Sequence, residues 1–252
     1  MKSYPEFCAL ILAAGKGTRM KSDMAKVLHE LAGKPLLHYS LQAAREAKAQ
    51  KIVVVVGHQA RQVRQAFPDS DLVFVEQMPQ LGTGHAVMQA RDILEGYRGL
   101  TVILCGDVPL LKAQTIRTLI HHHEEAKACA TVLTTEPPGP HAYGRIVKND
   151  RGDILKIVEH RDATDAEKEI LEINTGIYCV DTSFLFSALA RVNNENQQKE
   201  YYLTDIVEIG RREGRKIQAF LTKNYLEVMG INTLDELKKA EGYLHQATTC
   251  QD

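Results

Sequence analysis

The stretch Leu10-Ile11-Leu12-Ala13-Ala14-Gly15-Lys16-Gly17-Thr18-Arg19-Met20, closed by Lys26, decides how the chain is read. Its apolar start predicts a buried strand, and the strand breaks into a loop with two glycines, a lysine and an arginine. Gly15 and Gly17 permit positive φ and close backbone approach, so successive N–H groups can point at phosphate oxygens. Arg19 and Lys26 add mobile positive charge. A glycine-rich strand-to-helix turn with solvated basic side chains accounts for the same residues equally well.

Two familiar phosphate loops fail here. The Walker pattern needs Gly, four residues, then Gly-Lys-Ser/Thr, and the dinucleotide fingerprint needs a third glycine where Met20 stands. Neither an ATPase nor a dinucleotide-dependent oxidoreductase is favoured. With 252 residues, 28.2 kDa and a net charge of -1, the chain has room for a substantial core but no general attraction to nucleic acid or an anionic membrane. The N-terminus lacks the apolar region of a signal peptide, and no apolar run is long enough to span a bilayer. Five cysteines without a C-x-x-C pair fit a reducing cytoplasm.

Strands and helices alternate through the first half, which predicts a doubly wound, mostly parallel α/β sheet. Cys8–Ala14, Ile52–Val56, Leu72–Val75, Thr101–Cys105 and Ala130–Thr134 read as strands. Pro35–Ala47, Ala60–Ala66, Ala86–Leu94 and Ala113–Ala128 read as helices, with Pro35 suited to the first turn. After Pro137-Pro138-Gly139-Pro140 the spacing becomes hairpin-like, and Gly144–Val147, Ile154–Val158 and Glu172–Val180 predict a small antiparallel lobe. The charged tract 162–172 predicts a loop or short helix. Helices follow over Thr182–Ala190 and Ile206–Arg212, strands over Lys216–Leu221 and Tyr225–Val228, and a terminal helix over Leu234–Leu244. The expected organisation is one unit over 1–245, with a first part to about 135, a second part over 136–230, a terminal helix over 233–245 and a flexible tail over 246–252.

Candidate site residues cluster at strand ends, where open parallel sheets collect ligands. Asp107 follows the strand Thr101–Cys105, and magnesium commonly takes one or two carboxylates plus substrate phosphates. Gln77 carries donor and acceptor atoms, and the backbone at Gly82 and Thr83 offers more; helix capping by Thr83 explains the same segment. His58 reads as structural. His121-His122-His123 lie on a helix, whose consecutive residues diverge, so they read as a solvated face and not as a metal site. Tyr143-Gly144-Arg145, Glu159-His160 and Asn174-Thr175-Gly176 put polar groups beside strand ends. Thr204 or Asp205 can cap the helix that follows them, and Asn232 reads as the N-cap of the last helix.

Taken together, Leu-Ala-Ala-Gly-Lys-Gly-Thr-Arg-Met, Lys-Val-Leu-His, Gln-Leu-Gly-Thr-Gly-His-Ala, Gly-Asp-Val-Pro-Leu, Tyr-Gly-Arg-Ile, Ile-Val-Glu-His-Arg-Asp-Ala, Glu-Ile-Asn-Thr-Gly-Ile and Glu-Tyr-Tyr-Leu-Thr-Asp resemble, in order, the signatures of the sugar-nucleotide pyrophosphorylases. Within that family the chain is most similar to the bacterial N-acetylglucosamine-1-phosphate uridylyltransferases, from about Cys8 to Leu244. The resemblance implies a Rossmann-like sheet of the nucleotide-diphospho-sugar transferase type. Ala13, Ala14, Gly15, Gln77, Gly82 and Thr83 would hold uracil and ribose. Arg19 and Lys26 would neutralise the triphosphate, with Asp107 completing the catalytic set. Asp107 and Asn232 would hold Mg²⁺, and Gly144, Glu159, Asn174 and Thr204 would surround the sugar.

The implied substrates are UTP and N-acetylglucosamine-1-phosphate, with no nucleic acid, membrane or protein partner expected. Another sugar-1-phosphate, dTTP or a silent regulatory subunit remain alternatives. Two departures stand out. Ala25 precedes Lys26 where the family commonly has Pro, and the chain carries no hexapeptide-repeat β-helix, so acetyltransferase activity is not expected.

Overall fold

In a computed structural model of the chain, which describes residues 5–249, the first apolar run forms strand β1 (Phe7–Ala13). A two-residue hairpin, β2 (Glu30–Leu31) and β3 (Lys34–Pro35), leads into helix α1 (Leu36–Glu46). Strand β4 (Lys51–Val56), helix α2 (Ala60–Ala66) and strand β5 (Leu72–Glu76) follow, then two short helices, α3 (Thr83–Met88) and α4 (Arg91–Leu94). Strand β6 (Leu100–Cys105), helix α5 (Ala113–Ala126) and strand β7 (Ala130–Thr135) complete the first half.

The second half opens with strands β8 (Arg145–Lys148) and β9 (Ile154–Val158) and helix α6 (Asp165–Lys168). The long strand β10 (Ile173–Asp181) runs straight into helix α7 (Thr182–Leu189). Helix α8 (Asp205–Arg212), strand β11 (Ile217–Thr222), and helices α9 (Tyr225–Val228) and α10 (Leu234–Thr249) end the described chain.

The strand order is β11-β7-β10-β6-β1-β4-β5. β1 lies between parallel β4 and β6, and β5 extends the sheet in parallel. Helices cover both faces, so the central strands need apolar side chains at every position and show no polar alternation. Ala9, Ile11, Val54 and Val56 pack with α1, α2 and α5 through Leu37, Leu41, Val63, Ile116 and Leu119. Leu10, Val53 and Val55 pack on the other face with α3, α4, α7 and α8 through Val87, Leu94, Leu185 and Ile206.

Five local expectations are corrected. Glu172–Val180 was expected to pair inside the small lobe, but β10 lies within the main sheet, antiparallel to both β6 and β7. Only β8 and β9 form the antiparallel hairpin, joined to β10 through Ile173 opposite Arg145. Residues 225–228 form helix α9 and not a strand. The segment is too short for periodicity to decide, and the Glu227 carboxylate, bonded to Lys112 N–H at 3.1 Å and to the Thr115 hydroxyl, fixes the turn. Helix α10 continues to Thr249 through most of the expected tail, whose remaining residues 250–252 lie outside the described residues. Pro35 precedes α1 instead of opening it, and the helix expected over Ala86–Leu94 is broken into α3 and α4.

The reversed direction of β10 sets the geometry of everything that follows. Its first residue, Ile173, stands opposite Thr135, the last residue of β7, so the start of β10 meets the carboxyl ends of the parallel strands. The register then shifts between Asn174 and Tyr178. Gly176 makes the shift at φ 81°, and a Cβ there would stand 2.9 Å from Cys105 Sγ. At Gly33, φ is 76° but a Cβ would meet open space. Gly176→Ala is therefore expected to cost about 3 kcal/mol, adding overpacking to left-handed strain. Gly33→Ala should cost only about 1 kcal/mol, from the strain alone. Urea unfolding of the two variants beside the parent checks the difference.

Candidate functional site

The cationic end of the site is tied together by residues far apart in sequence. Gly17, at φ 63°, turns the chain into a single 3₁₀ turn over Thr18–Met20 that buries Met20 and leaves Arg19 exposed. Lys26 opens a second 3₁₀ turn, preceded by Ala25 N–H bonded to Gln59 Oε1 at 2.8 Å. The Lys26 ammonium pairs with the Asp107 carboxylate and donates to Asn232 Oδ1 at 2.7 Å. Arg19 Nη2 donates to the same oxygen at 2.8 Å. Backbone fixes the two acceptors, because Ile231 N–H donates to the Asp107 carbonyl at 2.9 Å.

Asn232 is thus not the helix cap that its position suggested. Thr233 fills that place, its hydroxyl accepting from Glu236 N–H at 3.2 Å, and the Glu236 carboxylate accepts from the N–H groups of Thr233 and Asn232. Capping therefore leaves the Asn232 amide oxygen free to face the cations.

A second group lies along the ends of β1, β4 and β5. Ala13 ends β1, and the carbonyl of buried Ala14 accepts from Gln80 Nε2 at 2.8 Å, while Gly15 is exposed. Gln77 is 3 % exposed, and its Nε2 donates to the Gly82 carbonyl at 2.9 Å. A carbonyl can only accept, so this bond orients the amide and leaves Oε1 as the available acceptor.

Thr83 does not cap α3. Its hydroxyl accepts from Leu203 N–H at 3.1 Å, Gly84 N–H donates to the Tyr201 carbonyl, and Tyr201 N–H donates to the Leu81 carbonyl, both at 2.8 Å. Residues 81–84 are thereby held against residues 201–203.

That contact delivers Thr204 to the third group. Thr204 sits at the start of α8, but its hydroxyl donates to Glu159 Oε1 at 3.1 Å and makes no capping bond. Asn174 N–H donates to the Gly144 carbonyl at 2.9 Å, and Asn174 Oδ1 accepts from Gly176 N–H at 3.0 Å, leaving its NH₂ available. Arg145 is spent on structure, since its guanidinium donates to the carbonyls of Tyr143, His141 and Lys168.

One cavity of about 800 Å³ runs between these groups. Arg19, Thr83, Asp107, Gly144, Glu159, Asn174, Thr204 and Asn232 all line it. Lys26 joins through its two partners, whereas Ala13, Ala14, Gly15, Gln77 and Gly82 are not among the lining residues. Sequence reasoning missed Tyr178, Tyr225 and Met229 on its wall, because the two tyrosines read as ordinary strand residues and Met229 as part of the connection after a strand. The three consecutive histidines do diverge, but they are not a solvated face. His121 faces Glu125, His122 stacks on Phe220, and His123 is buried against Thr131. Among the described residues no cluster of three or more His, Cys, Asp or Glu could hold a metal. The Asp107 carboxylate and Asn232 amide oxygen are hard donors on a shared cation, a set suited to a divalent ion whose remaining ligands come from phosphate and water.

The opposite end is acidic. Burial pushes the Glu159 carboxyl above its ordinary range, opposed by the Thr204 hydrogen bond and reinforced by Asp205, Asp162 and Glu200. Burial, with Glu208 and Asp162, raises Asp205 to about 6. Asp162 is held by Tyr202 Oη at 2.9 Å and Gln197 N–H at 3.0 Å.

Among the described residues no helix is long and apolar enough to cross a membrane. A family model described as MobA-like NTP transferase domain matches residues 9–175. The bifunctional protein GlmU of Geotalea daltonii is 48% identical over 233 residues, 92% of this chain and 51% of the relative. GlmU of Bacillus licheniformis is 44% identical over 238 residues, 94% of this chain and 52% of the relative. The chain spans about half the length of the curated relatives it matches. A crystal structure of UDP-glucose pyrophosphorylase complexed with UDP-glucose shares the fold, with a TM-score of 0.75, 18% identity, and coverage of 96% of this chain and 99% of that one.

The raised Asp205 gives a pH prediction. Between its ordinary value of 3.8 and about 6 the folded chain binds more protons than the unfolded one, so this group's contribution to stability falls as pH rises through that window. Asp205→Asn should gain about 1–2 kcal/mol relative to the parent between pH 4 and pH 7. Urea unfolding at the two pH values measures it, and a gap independent of pH would refute the burial argument.

Proposed function

Because the chain belongs to the MobA-like NTP transferase domain family, we propose that it is a nucleotidyltransferase joining UTP to N-acetylglucosamine-1-phosphate, with UDP-N-acetylglucosamine and pyrophosphate as products. One observation carries this reading. A single cavity has cations beside a carboxylate and an amide oxygen at one end, and uncharged hydrogen-bonding groups with a partly buried carboxylate at the other. That polarity suits a substrate pair with polyphosphate on one side and a sugar on the other. The similarity to bifunctional GlmU proteins supports the choice of sugar.

The proposed reaction is an in-line substitution. A phosphate oxygen of the sugar phosphate attacks the α-phosphorus of UTP, a new P–O bond forms, and the bond to pyrophosphate breaks. The nucleophile is already ionised at neutral pH, so no protein base is needed, and catalysis rests on alignment and charge neutralisation. Arg19 and Lys26 take the triphosphate oxygens. Nucleotidyltransferases of this kind generally use a divalent metal, and here Asp107 and Asn232 would hold Mg²⁺, which supplies charge neutralisation at the phosphates.

Gln77 Oε1 is suited to accept from uracil N3–H, with the backbone at Ala13, Ala14, Gly15, Gly82 and Thr83 around base and ribose. Gly144, Glu159, Asn174 and Thr204 would hold the sugar, with the Glu159 carboxylate accepting from hydroxyls. We read residues 1–245 as one nucleotidyltransferase unit, its nucleotide part to about 135, its sugar part over 136–230 and its terminal helix over 233–245. The free, buried Cys8, Cys129 and Cys179 accord with a reducing cytoplasm.

Pyrophosphate release by the purified protein, with and without Mg²⁺, tests the reading. UTP with N-acetylglucosamine-1-phosphate should give the fastest release, ahead of dTTP or glucose-1-phosphate. Lys26→Ala and Asp107→Ala should each slow turnover about a hundredfold or more, the scale of one lost preorganised electrostatic contact. Near-parental rates in both folded variants would sink the assignment.

A further inference from the structure

Tyr178 is the largest fully buried side chain near the site, 1 % exposed on β10 and packed between Ile103 of β6 and Val132 of β7. It also lines the cavity that holds Glu159, Asn174 and Thr204. Its hydroxyl has no hydrogen-bond partner of normal geometry among the described residues. The Asn174 side chain approaches that oxygen and favours its ionised form, against the larger effect of burial, which holds the phenol well above its ordinary range. At neutral pH Tyr178 is therefore a donor with its proton in place.

An orphaned buried hydroxyl is costly, and native structures rarely keep one without a use. Tyr97 carries a similar unpartnered hydroxyl, but it does not line the cavity. The setting of Tyr178 is different on every side. Asn174 and Tyr178 flank the register shift at Gly176, which brings both side chains to the cavity from one strand. Glu159, whose charge also bears on Tyr178, supplies an acceptor on the same wall.

We propose that the Tyr178 hydroxyl donates a hydrogen bond to an oxygen acceptor on the sugar, making it a specificity-determining residue on the sugar side of the cavity. The proposal rests on the uridylyltransferase reading above. It pairs a fixed donor with the Glu159 acceptor, so that the wall matches a ring bearing both hydroxyl donors and oxygen acceptors. A ligand that lacks the sugar leaves the Tyr178 hydroxyl unpaired and gains nothing from it.

Tyr178→Phe removes the oxygen and keeps the ring. Calorimetric titration with UDP-N-acetylglucosamine and with UDP alone reads the effect in parent and variant. The variant should bind UDP-N-acetylglucosamine about tenfold more weakly, the scale of one lost hydrogen bond, and bind UDP as the parent does. Its urea midpoint should equal or exceed the parent's, because the unpaired hydroxyl is gone. Equal affinity for UDP-N-acetylglucosamine in the two proteins, or the same loss for both ligands, would overturn the proposal. A lower midpoint with unchanged selectivity would overturn it too, marking the hydroxyl as structural. A parent that binds UDP-N-acetylglucosamine but releases no pyrophosphate would refute the uridylyltransferase reading alone.

Discussion

A strand running against its neighbours sets the architecture. In a wholly parallel sheet only carboxyl ends would reach the ligand edge. Because β10 is inserted antiparallel between β6 and β7, its beginning arrives where theirs finish. Gly176 therefore stands beside Cys105, Asn174 and Asp107 line the same cavity, and its wall is built from chain running in both directions. The β8–β9 hairpin hangs from the same end of β10, carrying Gly144 and Glu159 with it.

Around that edge, short-range ties hold distant segments in register. Arg19 and Lys26 reach Asn232 across more than two hundred residues of chain. Ile231 N–H on the Asp107 carbonyl fixes where those side chains meet. The contact between residues 81–84 and 201–203 does the same for Thr204 and Glu159. Paired opposite charges and partly buried acids thus occupy separate ends of one space, kept apart by backbone bonds and not by side-chain reach.

Much of this was legible in the sequence. The β-branched run at Ile52–Val56 and the apolar run at Cys8–Ala14 specify strands covered on both faces, and the alternation with helices specifies the sheet. What escaped was direction and pairing: nothing in Glu172–Val180 distinguishes a lobe strand from one inserted into the main sheet. Tyr225–Val228 was misread because a segment of four residues fits either period. Asn232 and Thr204 each looked like a cap, and the structure spends neither on capping; a polar residue before a helix carries the same local signal whichever way its side chain turns. Tyr178 gave no signal, since an aromatic residue in a strand reads as core until its hydroxyl is seen without a partner.

The insertion of β10 also bears on how the chain comes to be folded. Until residues 173–181 are synthesised, β6 and β7 have no strand between them and β6 presents an open row of backbone donors and acceptors. The first half therefore cannot close its own sheet, however complete its βα units are. Pairing must wait for a segment made some seventy residues after β6, a long-range closure of the kind that slows folding and prolongs exposure to other chains. The strand that completes the cavity is thus also the wedge whose arrival ends that vulnerable interval.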